Sequence, residues 1–121
     1  MQCKTGAEHI QSLKDGRTVY LDGKLVDDVT THVAYRNAVG SAAMLYDYQA
    51  APENIELMTF LPEGGMRRVN CWQMPRNYDE LVQRRKALQA WAQLSYGFMG
   101  RSPDHVASTS RPLSGPSRRW S

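Results

Sequence analysis

The stretch that begins at Asn77 places the tightest constraint on how this chain can fold. Glu80 follows Asn77 after three residues, which is the pattern of a capping box, and the helix dipole favours acidic side chains in this first turn. Beyond it, apolar and small side chains recur at helical spacing. They are Leu81, Leu88, Trp91, Ala92, Ser95 and Phe98. Because such a helix is stable only when this face is buried, the sequence predicts one long helix packed against a core.

Three consecutive basic residues, Arg84, Arg85 and Lys86, lie largely on other faces of this helix. We interpret them as a solvated face, and the alternative is a contact with an acidic partner. Gly97 and Gly100 are expected to loosen the end of the helix, so that the following segment starts a new element.

Arg101 stands just past the end of this helix, where a second helix is expected to begin. Ser102 fits its N-cap and Pro103 its first position, because the missing N–H of proline costs nothing there. An arginine held between two rigid elements binds a carboxylate or a phenolate through bidentate, charge-assisted hydrogen bonds. The alternative is that Arg101 pairs with the carbonyl groups that end the preceding helix.

The first half of the chain predicts a short helix, a hairpin and a second helix. Thr5 and Glu8 form a capping box for a helix over 5–14, and Asp22-Gly23 between two β-prone runs is typical of a hairpin turn. The second helix is expected to start at a cap on Thr30 or Thr31 and to end near position 49. Its predicted apolar stripe is Ala34, Ala38, Ala42 and Leu45.

His32, in the first turn of that second helix, is interpreted as a surface or packing residue rather than a ligand. Positions 55–61 alternate as in a strand, 62–65 form a turn, and 66–72 predict a returning strand whose Arg67-Arg68 pair is solvated. Together these elements predict an α+β fold, mainly helical, in which two longer helices and short helices pack with two β-hairpins.

Composition excludes several classes of function. Residues 1–110 contain 12 Lys or Arg and 12 Asp or Glu, so the net charge of +3 belongs to the last residues and does not indicate a nucleic-acid-binding surface. Cys3 and Cys71 show no zinc-ligand spacing, so no metal site is expected. We find neither a signal peptide nor an apolar run that could span a membrane, and we expect a cytoplasmic protein with reduced thiols.

Several short motifs occur in a fixed order at positions 13–17, 19–23, 29–32, 35–38, 45–47 and 94–105. The last of them reads Leu-Ser-Tyr-Gly-Phe-Met-Gly-Arg-Ser-Pro-Asp-His. Together they resemble the N-terminal domain of the 4-hydroxyphenylacetate 3-hydroxylase family, the oxygenase components of two-component aromatic monooxygenases. The resemblance covers roughly residues 5–109, and we expect residues 1–109 to form this domain.

The resemblance implies hydroxylation of an aromatic phenol by O2 with reduced FAD, which a separate flavin reductase supplies, in a homotetramer. It also implies which residues bind the phenolic substrate. They are Arg101, Ser102, Pro103, Asp104 and His105. His105 stands where 4-hydroxyphenylacetate hydroxylases commonly have a tyrosine, so a different phenol is equally consistent. No catalytic residue, flavin-binding residue or metal ligand is assigned within this chain.

Residues 110–121 lack periodicity and are rich in Ser, Pro, Gly and Arg, so we expect a disordered tail. The resembled family continues there as an apolar helix, and our hypothesis is that a frameshift or a truncated reading frame replaced it. The chain is then an N-terminal fragment that is inactive alone. A competing interpretation is an autonomous α+β interaction module that binds an acidic partner through its basic helix face and tail. No nucleic-acid or membrane partner is expected.

Overall fold

The computed structural model describes residues 3–97, and the fold in this part of the chain is α+β, as the sequence predicts. The helices are α1 (Gly6–Ser12), α2 (Arg36–Ala50), α3 (Ile55–Met58) and α4 (Tyr78–Leu94). The strands are β1 (Val19–Leu21), β2 (Lys24–Val26), β3 (Thr59–Phe60) and β4 (Arg68–Val69), and a 3-10 turn spans Asn70–Trp72. The chain divides after Pro52 into two compact units, which we call the N-terminal unit and the C-terminal unit.

In the N-terminal unit, α1 packs against α2 at a glycine. The capping box is confirmed, because the Thr5 side chain accepts from the Glu8 N–H while the Glu8 carboxylate accepts from the Thr5 N–H. Gly6, the first residue of α1, is buried and donates its N–H to Oδ1 of Asp47 at 2.7 Å. A Cβ at Gly6 would lie 2.5 Å from the carbonyl oxygen of Ala43, so only glycine allows this approach of the two helices.

The predicted hairpin at Asp22-Gly23 is also confirmed. Strands β1 and β2 pair antiparallel, with Val19 opposite Val26 and Leu21 opposite Lys24. Asp22 has φ 50° and Gly23 has φ 74°. Positive φ at both central residues is the requirement of a type I′ turn, whose twist matches that of paired strands.

Helix α2 begins at Arg36, several residues after the predicted cap, so the prediction of Thr30 or Thr31 as N-cap is wrong. Asp28 explains the difference, because its Oδ1 accepts from both the N–H and the hydroxyl of Thr30, at 2.8 and 2.6 Å. These bonds hold the backbone in an Asx turn that competes with a helix. The apolar stripe is only partly correct, since Leu45 is buried but Ala38 is exposed. The buried residues of α2 are Ala43, Leu45 and Gln49.

In the C-terminal unit, the strand predicted over 55–61 is wrong in its first half, because Ile55–Met58 is one turn of helix. Strand β3 is Thr59–Phe60, and it pairs antiparallel with β4. Asn70 determines this local geometry, since it is fully buried and its Nδ2 donates to the carbonyl oxygens of Leu57, at 2.5 Å, and Thr59, at 3.4 Å. The returning strand predicted over 66–72 is correspondingly short, and it ends in the 3-10 turn.

Helix α4 confirms the predicted start and part of the predicted face, since Trp91 is buried. Asn77 accepts from the Glu80 N–H at 2.9 Å, and the Glu80 carboxylate accepts from the Arg76 N–H at 2.7 Å, one residue before the position of a standard capping box. Leu81 is 52% exposed, although it was expected in the apolar face. The buried residues are Arg84, Ala87 and Trp91, which lie at helical spacing. Within residues 3–97, none of the helices has the length and apolar character needed to cross a membrane.

Candidate functional site

The predicted substrate-binding residues Arg101, Ser102, Pro103, Asp104 and His105 lie outside the described residues, as does the predicted tail 110–121. The described chain ends close to them, at the C-terminus of α4. There the Gly97 N–H donates to the Ala92 carbonyl at 2.8 Å and the Tyr96 N–H donates to the Gln93 carbonyl at 3.2 Å. This is a Schellman motif, and it ends the helix before the predicted segment rather than loosening it at Gly97.

Tyr96 occupies the position of the Schellman motif that most often holds glycine. Its φ is 51° and that of Gly97 is 75°. A left-handed conformation costs a residue with a Cβ about 1–2 kcal/mol. Tyr96 is 98% exposed, so packing against the described residues does not offset this cost. Two consecutive left-handed residues therefore end the described part of α4's C-terminus, and the second of them, Gly97, precedes Arg101 by four residues in sequence.

A polar network ties α3 and β3 to the segment that leads into β4. Arg67 pairs with the carboxylate of Glu56 and donates to Oγ1 of Thr59 at 3.2 Å. Thr59 is 1% exposed, and its hydroxyl donates in turn to the Ile55 carbonyl. The Arg67 side chain is 27% exposed, so the prediction that it is solvated is wrong. Because its guanidinium already interacts with Glu56 and Thr59 within the fold, Arg67 is a poor candidate for ligand binding.

Arg84 is the second basic residue that the structure places differently. Its side chain is only 7% exposed on α4, whereas Arg85 and Lys86 are exposed. The prediction of a solvated basic face is therefore correct for Arg85 and Lys86 and wrong for Arg84. Arg85 donates to Oε1 of Gln89 at 3.1 Å, a contact one turn along the same helix.

A groove of about 530 Å³ lies beside the β3–β4 hairpin, and we call it the hairpin groove. It is lined by Phe60, Leu61, Pro62, Glu63, Arg68, Gln73, Met74, Arg76 and Glu80. Its volume is in the range of small-molecule sites. Neither the Arg68 nor the Arg76 guanidinium forms an ion pair or a hydrogen bond with another described residue. Sequence spacing does not group these two arginines, because only the intervening 3-10 turn brings both of them to one groove.

In the N-terminal unit, His9, Tyr46 and Lys4 form a small cluster between α1 and α2. The His9 and Tyr46 rings stack with centroids 4.3 Å apart, and Nζ of Lys4 lies 5.6 Å from the Tyr46 ring centroid. Burial lowers the pKa of His9, and the positive charge of Lys4 lowers it further. Both effects favour the neutral form of His9, which suits stacking on an aromatic ring.

A smaller cavity of about 250 Å³ in the same unit is bordered by Lys14 and Asp28, whose charged atoms are 3.5 Å apart. Hydrogen bonds from Thr30 lower the pKa of Asp28, with a further contribution from Lys14. Asp28 thus stabilises the turn described above. His32 has a similar local role, since its Nδ1 accepts from the Ala34 N–H at 3.1 Å.

Comparison with known proteins finds matches along almost the whole chain. The family model described as 4-hydroxyphenylacetate 3-hydroxylase N terminal matches residues 5–114. A 4-hydroxyphenylacetate 3-monooxygenase oxygenase component from Klebsiella oxytoca is 43% identical over 86% of this chain and 20% of its own length. A 4-nitrophenol 2-monooxygenase oxygenase component from a Rhodococcus species is 44% identical over the same shares. The chain thus spans about a fifth of the length of these relatives.

The structural comparison agrees. The crystal structure of an oxygenase component of 4-hydroxyphenylacetate 3-monooxygenase, complexed with FAD and 4-hydroxyphenylacetate, superposes with a TM-score of 0.78. The two are 38% identical, and the match covers 85% of this chain and 22% of that one. The described fold is therefore that of one segment of a much longer polypeptide.

Proposed function

Because the chain belongs to the 4-hydroxyphenylacetate 3-hydroxylase N-terminal family, we propose that it forms the N-terminal part of an oxygenase component that hydroxylates a phenol with O2 and reduced FAD. The observation that carries this proposal is the family match over residues 5–114, together with identities above 40% to oxygenase components for two different phenols. The proposal includes a separate flavin reductase as electron donor, a homotetrameric assembly and a cytoplasmic location.

We assign substrate binding to the segment Arg101, Ser102, Pro103, Asp104 and His105. The support is its sequence motif, and the Schellman motif that ends α4 lies close by in sequence, since Gly97 precedes Arg101 by four residues. A guanidinium stabilises a phenolate oxygen by charge-assisted hydrogen bonds, and an imidazole four residues later lies on the same face if the segment is helical. In this assignment Arg101 holds the substrate oxygen, and His105 exchanges a hydrogen bond with the same group.

Reduced FAD would supply the activation of O2, and the hairpin groove does not fit its reactive ring. This groove is lined by four charged side chains and one aromatic ring, Phe60. Flavin oxygen chemistry needs a dry pocket, and a groove with four charged groups retains water. We therefore place the flavin outside the hairpin groove and assign none of the residues that line it to the flavin.

The competing function, an autonomous interaction module with a basic helix face, is weaker after the burial of Arg84. The exposed positive charge on that stretch of α4 is reduced to Arg85 and Lys86. Single surface ion pairs contribute about 0–1 kcal/mol, so two exposed residues alone make a poor binding surface for an acidic protein.

A chimera tests the proposed function. Residues 5–114 replace the matching segment of the Escherichia coli 4-hydroxyphenylacetate 3-monooxygenase oxygenase component, which is 40% identical over 92% of this chain. Hydroxylation is then measured with a flavin reductase, FAD, NADH and several phenols. We expect product from at least one phenol. A folded, FAD-binding chimera without product from any phenol that the parent enzyme accepts would contradict the proposal.

Variants of the chimera test the site. Losing a hydrogen bond to a charged group costs about 1.5–3 kcal/mol, so Arg101→Gln is expected to lower kcat/KM about tenfold to a hundredfold. The matched control is Arg85→Gln, which removes an exposed arginine that donates a hydrogen bond to Gln89 on the same helix. Equal kcat/KM for the Arg101 variant and the control would remove the assigned role of Arg101 while leaving the family function intact.

A further inference from the structure

Tyr96 occupies a backbone position at which glycine is the favoured residue. It follows Ser95, the C-cap of α4, and its φ is 51°. The Schellman motif requires a left-handed conformation here, and a Cβ makes that conformation unfavourable by a factor of about five to thirty in the folding equilibrium. Glycine would avoid this cost. The chain therefore holds a tyrosine where folding alone favours another residue.

The Tyr96 side chain does not offset this cost within residues 3–97. Its ring is almost fully exposed. The backbone N–H donates to the Gln93 carbonyl at 3.2 Å, but this bond belongs to the helix end, and any residue except proline would make it. The side chain has neither a hydrogen bond nor a ring contact with another residue in this part of the chain. The choice of tyrosine thus needs an explanation outside the described fold.

The place of Tyr96 in the sequence connects it to the segment 101–105, which the proposed function assigns to substrate binding. Residues held in unfavourable backbone conformations cluster at binding and catalytic sites, where the surrounding structure holds them. Arg101 follows Gly97 by four residues, and four residues of chain span at most about 14 Å. The direction in which the backbone leaves Tyr96 and Gly97 therefore limits where the Arg101 guanidinium can lie.

We propose that Tyr96 is a positioning residue for the segment 101–105. Its ring packs against a part of the oxygenase outside residues 3–97, and this contact holds the left-handed turn from which the chain continues to Arg101. An aromatic ring suits this role because it buries a large area at a low cost in side-chain entropy. Tyr96 thus acts through Arg101 and does not itself touch the substrate. The inference rests on the proposed function, because it concerns the same segment.

The first experiment separates backbone strain from the role of the ring, and it uses the full chain. Urea unfolding is followed by tryptophan fluorescence for Tyr96→Gly and Tyr96→Ala. Both variants lack the ring, but only glycine relieves the left-handed strain. The larger backbone entropy of unfolded glycine offsets part of this gain, so we expect the unfolding constant to fall about twofold to tenfold in Tyr96→Gly. In Tyr96→Ala it should change by less than about twofold, because the ring is exposed in the folded chain.

The second experiment measures the same variants in the chimera that carries residues 5–114. Misplacing a substrate-binding group by 1 Å costs up to about a hundredfold, so we expect both variants to raise KM for the phenol about fivefold to thirtyfold. Tyr96→Phe keeps the ring and should stay within about twofold of the unchanged chimera. A purely structural defect would lower the active fraction, and hence kcat, while leaving KM unchanged. Arg85→Gln again serves as the control.

A double variant tests whether Tyr96 acts through Arg101. If it does, Tyr96→Ala combined with Arg101→Gln should have the kcat/KM of Arg101→Gln alone, within about twofold, since the arginine that Tyr96 positions is already absent. Independent effects of the two substitutions would multiply instead.

Four results would overturn the proposal. They are no stabilisation in Tyr96→Gly, an unchanged KM in Tyr96→Ala, effects that multiply in the double variant, and a loss in Tyr96→Phe as large as that in Tyr96→Ala. A chimera without product contradicts the proposed function and this inference with it. An active chimera with any of the four results contradicts only the role of Tyr96.

Discussion

The contact between α1 and α2 makes a quantitative prediction at Gly6. In Gly6→Ala, the new Cβ would lie 2.5 Å from the Ala43 carbonyl oxygen and 2.5 Å from Oδ2 of Asp47. The carboxylate can rotate away, but the carbonyl belongs to the helix backbone, so α1 must move. Overpacking of this kind costs about 1–3 kcal/mol, and a weakened hydrogen bond to a charged acceptor adds about 1.5–3 kcal/mol.

Two considerations reduce this sum. Alanine is a better helix former than glycine by about 1 kcal/mol, and water replaces part of the lost bond because Asp47 is exposed. The lower half of the range then applies, and Gly6→Ala should destabilise the α1–α2 pair by about 2–3 kcal/mol. The matched control is Gly40→Ala in α2, where a Cβ would meet nothing within 4 Å. The same propensity difference should stabilise that variant by about 1 kcal/mol.

Hydrogen exchange of the α1 and α2 amides measures how each of the two substitutions changes the stability of the N-terminal unit. Since 1.4 kcal/mol is a factor of ten, exchange should become about 30- to 150-fold faster in Gly6→Ala and about fivefold slower in Gly40→Ala. Complete loss of amide protection in Gly6→Ala would support the steric argument, just as a large increase in the exchange rate would. Exchange no faster than in the unchanged chain would refute the steric argument, because the propensity term would then be the only effect of the substitution.

Two further predictions follow from the same structure. The lowered pKa of His9 means that the unfolded state takes up a proton at higher pH than the folded state, so the α1–α2 pair should lose stability as the pH falls below about 6.5. An NMR titration of His9 gives the folded pKa directly, and His9→Gln should abolish the dependence between that value and 6.5. Asn77→Ala should destabilise α4 by about 1 kcal/mol, read from urea unfolding by tryptophan fluorescence, to which Trp91 on α4 contributes, whereas Asn77→Ser should retain the cap and the stability. A wild-type midpoint for Asn77→Ala would show that the hydrogen bond from the Arg76 N–H to the Glu80 carboxylate suffices to start the helix.

The features that sequence predicts correctly here are local ones. The Thr5 and Asn77 caps each depend on a side chain within three residues of the backbone group that it satisfies, and the Asp22-Gly23 turn depends on two adjacent residues with positive φ. Their geometry is therefore contained in a short window of sequence. The general α+β architecture follows from the order of such windows.

The errors come from contacts between distant residues. The run 55–61 is compatible with a strand or a helix, and the amide of Asn70, from beyond the following turn, caps the carbonyl of Leu57 at the end of the helical turn. Arg84 is assigned to solvent because charged residues usually are, whereas the fold buries it. The start of α2 depends on competition between a side-chain bond from Thr30 and a backbone helix, which propensity alone does not resolve.

The same distinction applies to the candidate sites. A motif that is contiguous in sequence, such as 101–105, is visible without a structure. The hairpin groove is not, because Arg68 and Arg76 come together only through the 3-10 turn at Asn70–Trp72. Coordinates are also needed to tell which arginine pairs with an acidic residue. Arg67 pairs with Glu56, whereas Arg68 forms no ion pair with a described residue.

The division of the chain after Pro52 has a consequence for the order of events during synthesis. The α1–α2 contact and the β1–β2 hairpin join residues that all precede Glu53, so every partner in them has been translated before α4 exists. Proteins fold from the N-terminus as they emerge from the ribosome, and pairings of short sequence separation form fast. The half of this chain that includes Gly6 is thus expected to acquire its helix pair while the ribosome is still adding the residues of the other half.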